Sequence, residues 1–511
     1  MKARWLQFLA IAAVLAFGGC AMLRAFLPEK YAVNTPVMNG LFGWSGEAPP
    51  QAEVGQRLRV PPEFEIARYA LVPGVRMLLA TPRGDLLASL PREGRVVLLA
   101  RDKDDDGLPD EVRELFTGLN RPHGLALSPD GWLYIGEGSA IGRVRFDVAT
   151  GTTQGALEYV VTGLPEGGNH WSRNVGIGPD GKLYVTVGSS CNACVETDER
   201  RAAMLRYAPD GSGFALYARG LRNAVDFAWR PGTGELFATD NGRDLLGDDF
   251  PPCELNRVVA GADYGWPVAN GDRVPDPDNG GGQEARIAAS TPPAFGFNAH
   301  NAPLGITFLQ HATQPAHYQG AALVALHGSW NRSRKDGYRV VSLHWDESGA
   351  IHAEDFLSGF LVDDEVSGRP VDVVEAPNSG TIFVSDDYGG AIYAIRRPGA
   401  QSAGAPVPTP ELTIAAGPRG DPLAALGAEE RATLVAKGAA AWQALPCASC
   451  HEAASAAPGM VTKKLEKLSE RFDLDSLVSF FAAPTPPMPP PPLDEAGRRE
   501  LAAYVLDRFG S

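Results

Sequence analysis

The chain has 511 residues, 44% hydrophobic and 21% charged, which is ordinary globular usage and excludes a largely disordered or collagen-like chain. Lys and Arg total 46 against 61 Asp and Glu, a formal charge of −15 with no basic run; nucleic acid is excluded as a partner, because phosphate binding needs a basic footprint. The 58 Gly and 42 Pro point to many turns and many short strands.

Lys2 and Arg4 precede an apolar run from Trp5 to Phe17, and Gly18-Gly19-Cys20 follows. Residues 1–27 read as an export segment. The small pair before Cys20 fits a lipoprotein cleavage site with Cys20 lipidated. An uncleaved anchor over Trp5 to Leu23 and simple signal cleavage are the alternatives. Each puts the rest of the chain on the periplasmic side of a bacterial membrane, lipid-anchored or membrane-anchored in the first two readings. That compartment is oxidising, so Cys pairs can form disulfides.

A turn followed by an alternating apolar segment then recurs. It begins at Pro82-Arg83-Gly84-Asp85, Pro129-Asp130-Gly131-Trp132, Pro179-Asp180-Gly181-Lys182, Gly232-Thr233-Gly234-Glu235, Gly320-Ala321-Ala322 and Asn378-Ser379-Gly380-Thr381. The early copies lie about 50 residues apart, the size of a four-stranded propeller blade. Asp-Gly supplies the positive φ of a tight hairpin, and the alternation predicts a half-buried strand after each turn. Six copies predict an all-β, six-bladed β-propeller over residues 50–397, with an insertion around 240–300. An irregular β-sandwich is the competing fold.

In a propeller the loops entering the innermost strands meet at one end of the channel. The segments before the turn motifs carry His123, His170, Arg222-Asn223, His300 and Arg369. His titrates near neutral pH and Arg binds carboxylates bidentately, so the set suits an anionic cofactor with a proton-abstracting base. Thr239 to Asn256 reads as an acidic, turn-rich loop with Asp248-Asp249 as candidate Ca²⁺ ligands, against a plain solvated loop. Asp102 to Gly107 matches the first half of an EF-hand loop but has Arg113 where the bidentate Glu belongs; Ca²⁺ or a surface connection are both open there. Cys191-Asn192-Ala193-Cys194 lacks a following His and a second Cys pair, so a local disulfide is expected and Cys253 is left over.

Cys447-Ala448-Ser449-Cys450-His451 is the c-type haem attachment sequence: Cys447 and Cys450 would form thioethers and His451 would bind the iron. A helix is expected from Ala428 to Leu445 and another from Asp494 to Phe509. Met488, in the Pro-rich loop before the second, is the expected opposite ligand; Met460 lies too close to His451. Residues 398–424, rich in Pro, Ala and Gly, read as a linker to a small all-α haem domain over 425–511.

Asn169-His170-Trp171-Ser172 with Ile177-Gly178-Pro179-Asp180, Gly220-Leu221-Arg222-Asn223, Thr239-Asp240-Asn241-Gly242 with Tyr264-Gly265-Trp266-Pro267, and His327-Gly328-Ser329-Trp330-Asn331-Arg332 resemble the glucose/sorbosone dehydrogenase family. The C-terminal part resembles a class I cytochrome c. The resemblance implies an exported dehydrogenase dependent on pyrroloquinoline quinone (PQQ) and Ca²⁺, oxidising a sugar or related alcohol and passing electrons through its covalently bound haem c to a respiratory cytochrome or oxidase. It implies His170 as the base, Arg222 and Asn223 beside the quinone, Arg369 on a quinone carboxylate, and the backbone carbonyls of Gly242 and Arg243 on Ca²⁺. Two positions depart from the soluble glucose enzymes: Asn169 replaces Asp before the base, and Arg332 stands near the place of a cofactor-contacting Lys. A Ca²⁺-dependent propeller hydrolase or lactonase, and a non-enzymatic binding propeller attached to an electron-transfer cytochrome, are the rival readings.

Overall fold

The computed structural model describes residues 46–398, 421–424, 426–445, 447–451, 465, 468–470, 472–482 and 491–510. The export segment with Cys20, the Met460 and Met488 positions, and most of the linker lie outside these residues. No helix among the described residues is long and apolar enough to cross a membrane.

Six four-stranded antiparallel sheets form the six blades of a propeller. Their innermost strands are Leu78–Ala80, Leu125–Leu127, Val175–Ile177, Ala224–Trp229, Pro303–Phe308 and Pro370–Glu375, for blades 1 to 6 in chain order. Each recurring turn joins an innermost strand to the second strand of its blade, as in Leu86–Leu90, Leu183–Val187 and Ala322–Leu326. These second strands are buried at every position, not half-buried as the alternation predicts. Each is paired on both edges, and both of its faces are covered by neighbouring blades, so even small or polar residues such as Ser89 and Thr186 lie inside.

The ring closes through blade 6. Its outermost strand, Glu65–Leu71, comes from the start of the domain and pairs antiparallel with Ala391–Arg396 from its end. Tyr69 sits at a register shift in that pair, is 1% exposed, and packs its ring 4.8 Å from that of Phe383. Two buried carboxylates join inner strands of adjacent blades: Leu78 N donates to Asp372 Oδ2 at 2.7 Å, and Ile306 N donates to Asp226 Oδ2 at 2.8 Å.

The expected insertion lies between the third and fourth strands of blade 4, Cys253–Val258 and Phe295–Phe297, and carries a two-stranded hairpin and the helix Glu284–Ala289. The expected loop Thr239 to Asn256 is shorter than its composition suggests, because both ends belong to paired strands, Leu236–Asp240 and Cys253–Val258.

The chain divides between Glu411 and Leu412 into two compact units. The described part of the second is helical: Ala428–Ala444, Cys447–His451, Leu474–Ala482 and Glu495–Phe509. Its own core contains Leu423, Trp442, Leu477, Phe481, Leu501 and Leu506. Asp494 caps the last helix by accepting from Gly497 N at 2.8 Å. The first and last helices touch at Gly438, where a Cβ would lie 2.0 Å from the Glu500 carbonyl oxygen.

Tyr69→Ala removes the ring that packs the closing strand onto blade 6, and should destabilise the propeller by about 3–5 kcal/mol in denaturant unfolding.

Candidate active site

Each polar residue picked from the sequence lies within five positions before an innermost strand, so the turn of the chain into that strand sets its place at the channel mouth. Blade 1 contributes Arg76 at the equivalent point, two residues before Leu78. Sequence patterning missed it because no His or second polar residue marks that loop. The loops between second and third strands open on the same end and supply Ser189, Asp244, His327 and Asp387.

His170 is held by one ring nitrogen. Its Nδ1 lies 2.8 Å from Ser189 Oγ and 3.1 Å from the Ser189 carbonyl. The Ser189 hydroxyl spends its own hydrogen on the Cys191 carbonyl at 2.7 Å. It must therefore accept from His170, which places the imidazole proton on Nδ1 and leaves Nε2 with a free lone pair. Burial, then the Arg222 charge, pushes the His170 pKa down to about 3, so the ring is neutral near pH 7. Gly188 makes this approach possible: a Cβ there would fall 2.5 Å from that of His170 and 2.9 Å from Asn223 Oδ1.

Arg222 is a hub rather than a free cation. Its Nε and Nη2 donate to the Asn192 carbonyl and Oδ1 at 2.9 and 2.8 Å, Nη1 donates to the carbonyls of Asn241 and Gly242, and Nη2 reaches Asp244 at 2.8 Å. All five guanidinium N–H groups are thus engaged. The expected position beside a quinone holds only in the sense that Arg222 fixes the loops around His170. Asn192 belongs to the loop closed by the Cys191–Cys194 disulfide, which forms as expected. Cys253 is buried and unpaired, its thiol raised to about 11 by burial.

His300 and Arg332 also brace loops. His300 Nε2 donates to the Gly247 carbonyl at 2.8 Å, and Arg332 reaches the carbonyls of Asp248 and Ala299 and the Asp249 carboxylate. Asp248 in turn accepts from Ser333 N at 2.9 Å, and Asp249 is 91% exposed on its side chain. Among the described residues these two carboxylates join no group of three or more His, Cys, Asp or Glu side chains placed to share an ion.

The opposite arc of the mouth is more open. Arg369 donates Nε and Nη2 to the carbonyls of His327 and Gly328 at 3.1 and 3.0 Å, and Nη1 takes no partner among the described residues. Arg76 Nη1 and His327 Nε2 share Asp387, at 2.6 and 2.9 Å. Burial alone would raise Asp387; His327 and Arg76 instead hold it well below the usual carboxylate range. Burial pushes His327 down to about 4, so this arc sets the Arg76 and Arg369 charges against Asp387, with Asp386, raised to about 6 by burial, accepting from Arg369 N at 2.8 Å. His123 is fully buried beside it with no partner on either ring nitrogen, and Trp171 packs edge-on at 5.4 Å. A buried imidazole N–H without an acceptor costs about 1–3 kcal/mol, a cost that His123 carries within the wall of the mouth.

A second feature lies behind Arg222. Asp240 and Glu254 face each other across paired strands and line a cavity of about 20 Å³ with Asn241, Gly242 and Arg243. Burial, then Glu254, raises Asp240 well above the usual range, and burial raises Glu254 to about 7. Asn241 Oδ1 is buried without a partner. Two carboxylates and an orphaned amide oxygen around room for one small ion are hard-cation chemistry. Both carboxylates lie in the acidic segment Thr239 to Asn256 singled out from the sequence, and the antiparallel register of its two strands brings them together. At the Asp102 loop, the carboxylates of Asp102, Asp104 and Asp106 lie within 4.8 Å, and Asp102 accepts from Gly107 N at 2.8 Å.

A raised folded-state pKa stabilises the protonated form, so without bound metal the Glu254 term favours folding below about pH 4.5 and is lost as pH rises through about 7. Glu254→Gln should match the parent's unfolding free energy near pH 5, exceed it at pH 8 in chelator, and so flatten the slope between them.

Among known proteins, the sequence pattern described as Glucose / Sorbosone dehydrogenase matches residues 134–394, just over half of the chain. An uncharacterized protein of Borreliella burgdorferi is 34% identical over 220 residues; the match spans 42% of this chain and 57% of that curated relative. Among solved structures, the holo PQQ domain of pyranose dehydrogenase from Coprinopsis cinerea superposes with a TM-score of 0.57 at 22% identity, over 66% of this chain and 97% of that one. The calcium structure of a Trichoderma reesei carbohydrate-active enzyme of family AA12 gives 0.58 at 21%, over 67% and 97%. These two likenesses concern the fold; the pattern over residues 134–394, which takes in His170, Arg222 and Arg369, establishes the relationship. The chain belongs to the glucose/sorbosone dehydrogenase family.

Proposed function

We propose that this chain is an exported, PQQ-dependent dehydrogenase that oxidises a hydroxyl group of a sugar or related alcohol, with His170 as the general base and Arg369 and Arg76 as the arc that holds the cofactor. The observation that carries this reading is the pairing of a neutral, singly anchored imidazole with a cationic arc that has unspent donors. When bound, PQQ supplies a carboxylate-rich quinone able to take up a hydride.

His170 does its part through Nε2. That lone pair accepts the proton of the substrate hydroxyl while the carbinol hydride leaves, and the substrate becomes a carbonyl compound. Ser189 keeps the ring aligned through Nδ1 and shares the charge that develops on it. A pKa of about 3 makes a weak base. Burial first, and then the charges of Arg222, Arg173 and Arg201, hold it there. The cavity at Asp240 and Glu254 would hold Ca²⁺, whose charge permits both carboxylates to ionise and fixes the Arg222 loops from behind. This places the proposed ion on side chains as well as on the Gly242 and Arg243 backbone.

For the helical unit we infer a c-type haem. Cys447 and His451 stand at the two ends of the short helix Cys447–His451, and the His451 ring lies 6.2 Å from that of Trp442. Cys450 occupies the same helix, and Met488 is the proposed second axial ligand. Electrons from substrate would leave through this haem to a respiratory cytochrome or oxidase, on the periplasmic side of the membrane to which residues 1–27 direct the chain.

The full-length protein, matured with haem and supplied with PQQ and Ca²⁺, should show substrate-dependent haem reduction with at least one member of a panel of sugars and alcohols. His170→Ala should lower kcat about 10²–10⁴-fold with the haem spectrum and PQQ affinity unchanged. Parent-like turnover in that variant would remove His170 from the reaction.

A further inference from the structure

We propose that His317, His344 and Glu354 form a binding site for a divalent transition-metal ion of the zinc class on the outer rim of blade 5. One potential ligand atom from each residue lies within 4.8 Å of the others. His317 Nε2 is 3.0 Å from Glu354 Oε2, and His344 Nε2 is 3.9 Å from the same oxygen. Zinc bonds of about 2.0–2.2 Å to imidazole nitrogen and carboxylate oxygen put neighbouring tetrahedral ligands roughly 3.3 Å apart. The two observed separations bracket that value, so an ion needs only small side-chain rotations.

Three segments of the blade supply the ligands. His344 stands on the third strand, Arg339–Trp345, and Glu354 on the fourth, Ile351–Leu357, in a register that sets Ser342 opposite Glu354. His317 comes from the 3₁₀ turn Ala316–Tyr318, in the connection between the first and second strands. Tyr318 anchors that turn: it is buried, with its ring 5.3 Å from Phe64 and 5.5 Å from Phe356. The His317 backbone is therefore fixed by core packing, and its ring stacks on that of His344 at 4.3 Å and 21°. His344 Nε2 also lies 2.9 Å from Ser342 Oγ, a contact the ion would replace.

The ligand types select the ion. Two imidazoles and one carboxylate suit zinc, copper or nickel, whereas calcium and magnesium require all-oxygen shells. His317 and Glu354 are each about half exposed, so water can complete the coordination. The connection carrying His317 leaves the innermost strand at the end opposite the channel mouth. The ion would staple a rim loop to its blade and take no part in the chemistry at His170.

The test uses the full-length, haem-loaded chain with Co²⁺ as a spectroscopic probe and Zn²⁺ in competition and calorimetry. One Co²⁺ per chain should give the visible bands of a low-coordinate nitrogen–oxygen site, displaced by Zn²⁺. His317→Ala and Glu354→Gln should each weaken binding at least tenfold and leave PQQ binding unchanged; both positions are exposed enough for the variants to fold. No visible bands, or Zn²⁺ affinity unaltered in both variants, would overturn the assignment.

Discussion

Closure of the ring by the strand Glu65–Leu71 is the constraint on which the channel mouth depends. No blade builds the site alone. Blade 3 brings His170, blade 4 Arg222 and Asn223, blade 6 Arg369 and Asp387, and blade 1 Arg76. The Arg76–Asp387 contact spans the seam that closure creates between the first and last blades, and His327 of blade 5 meets the same carboxylate. Inside the channel, Asp226 and Asp372 hold inner strands together by accepting from backbone N–H groups of the next blade. Burial raises both carboxylates, with Asp226 adding to the effect on Asp372, so the ring tolerates a partly protonated pair in return for fixed blade spacing.

The mouth divides its polar groups into two kinds. Arg222, His300 and Arg332 spend their donors on loop carbonyls and carboxylates and act as rigid supports. Arg369, His123 and the free nitrogen of His170 keep capacity in reserve. The division has an electrostatic consequence. A guanidinium already saturated by protein partners still exerts its charge on His170 and adds to the burial that keeps it neutral.

The propeller was legible in the sequence because turn chemistry repeats at blade length, and each repeat falls between the same two strands. The loops entering the inner strands were legible for the same reason, and five of six blades showed their polar residue. What escaped was partner choice. Arg222 and Arg369 look alike in a string of letters, and only packing separates a saturated guanidinium from one with a spare nitrogen. The acidic run Asp248-Asp249 is conspicuous in the sequence, while Asp240 and Glu254 meet only through the antiparallel register of two strands. Burial of the second strands on both faces was hidden by alternation, which encodes one covered face and says nothing of a neighbouring blade.

The central claim is that the arc of Arg369 and Arg76 receives an anionic quinone. Equilibrium binding of PQQ to the full-length protein, followed by quenching of tryptophan fluorescence, tests it most directly. The account predicts saturable one-to-one binding that weakens at least tenfold in Arg369→Ala, while the fold and thermal stability are retained. Binding of equal strength in that variant, or none in the parent, would contradict it.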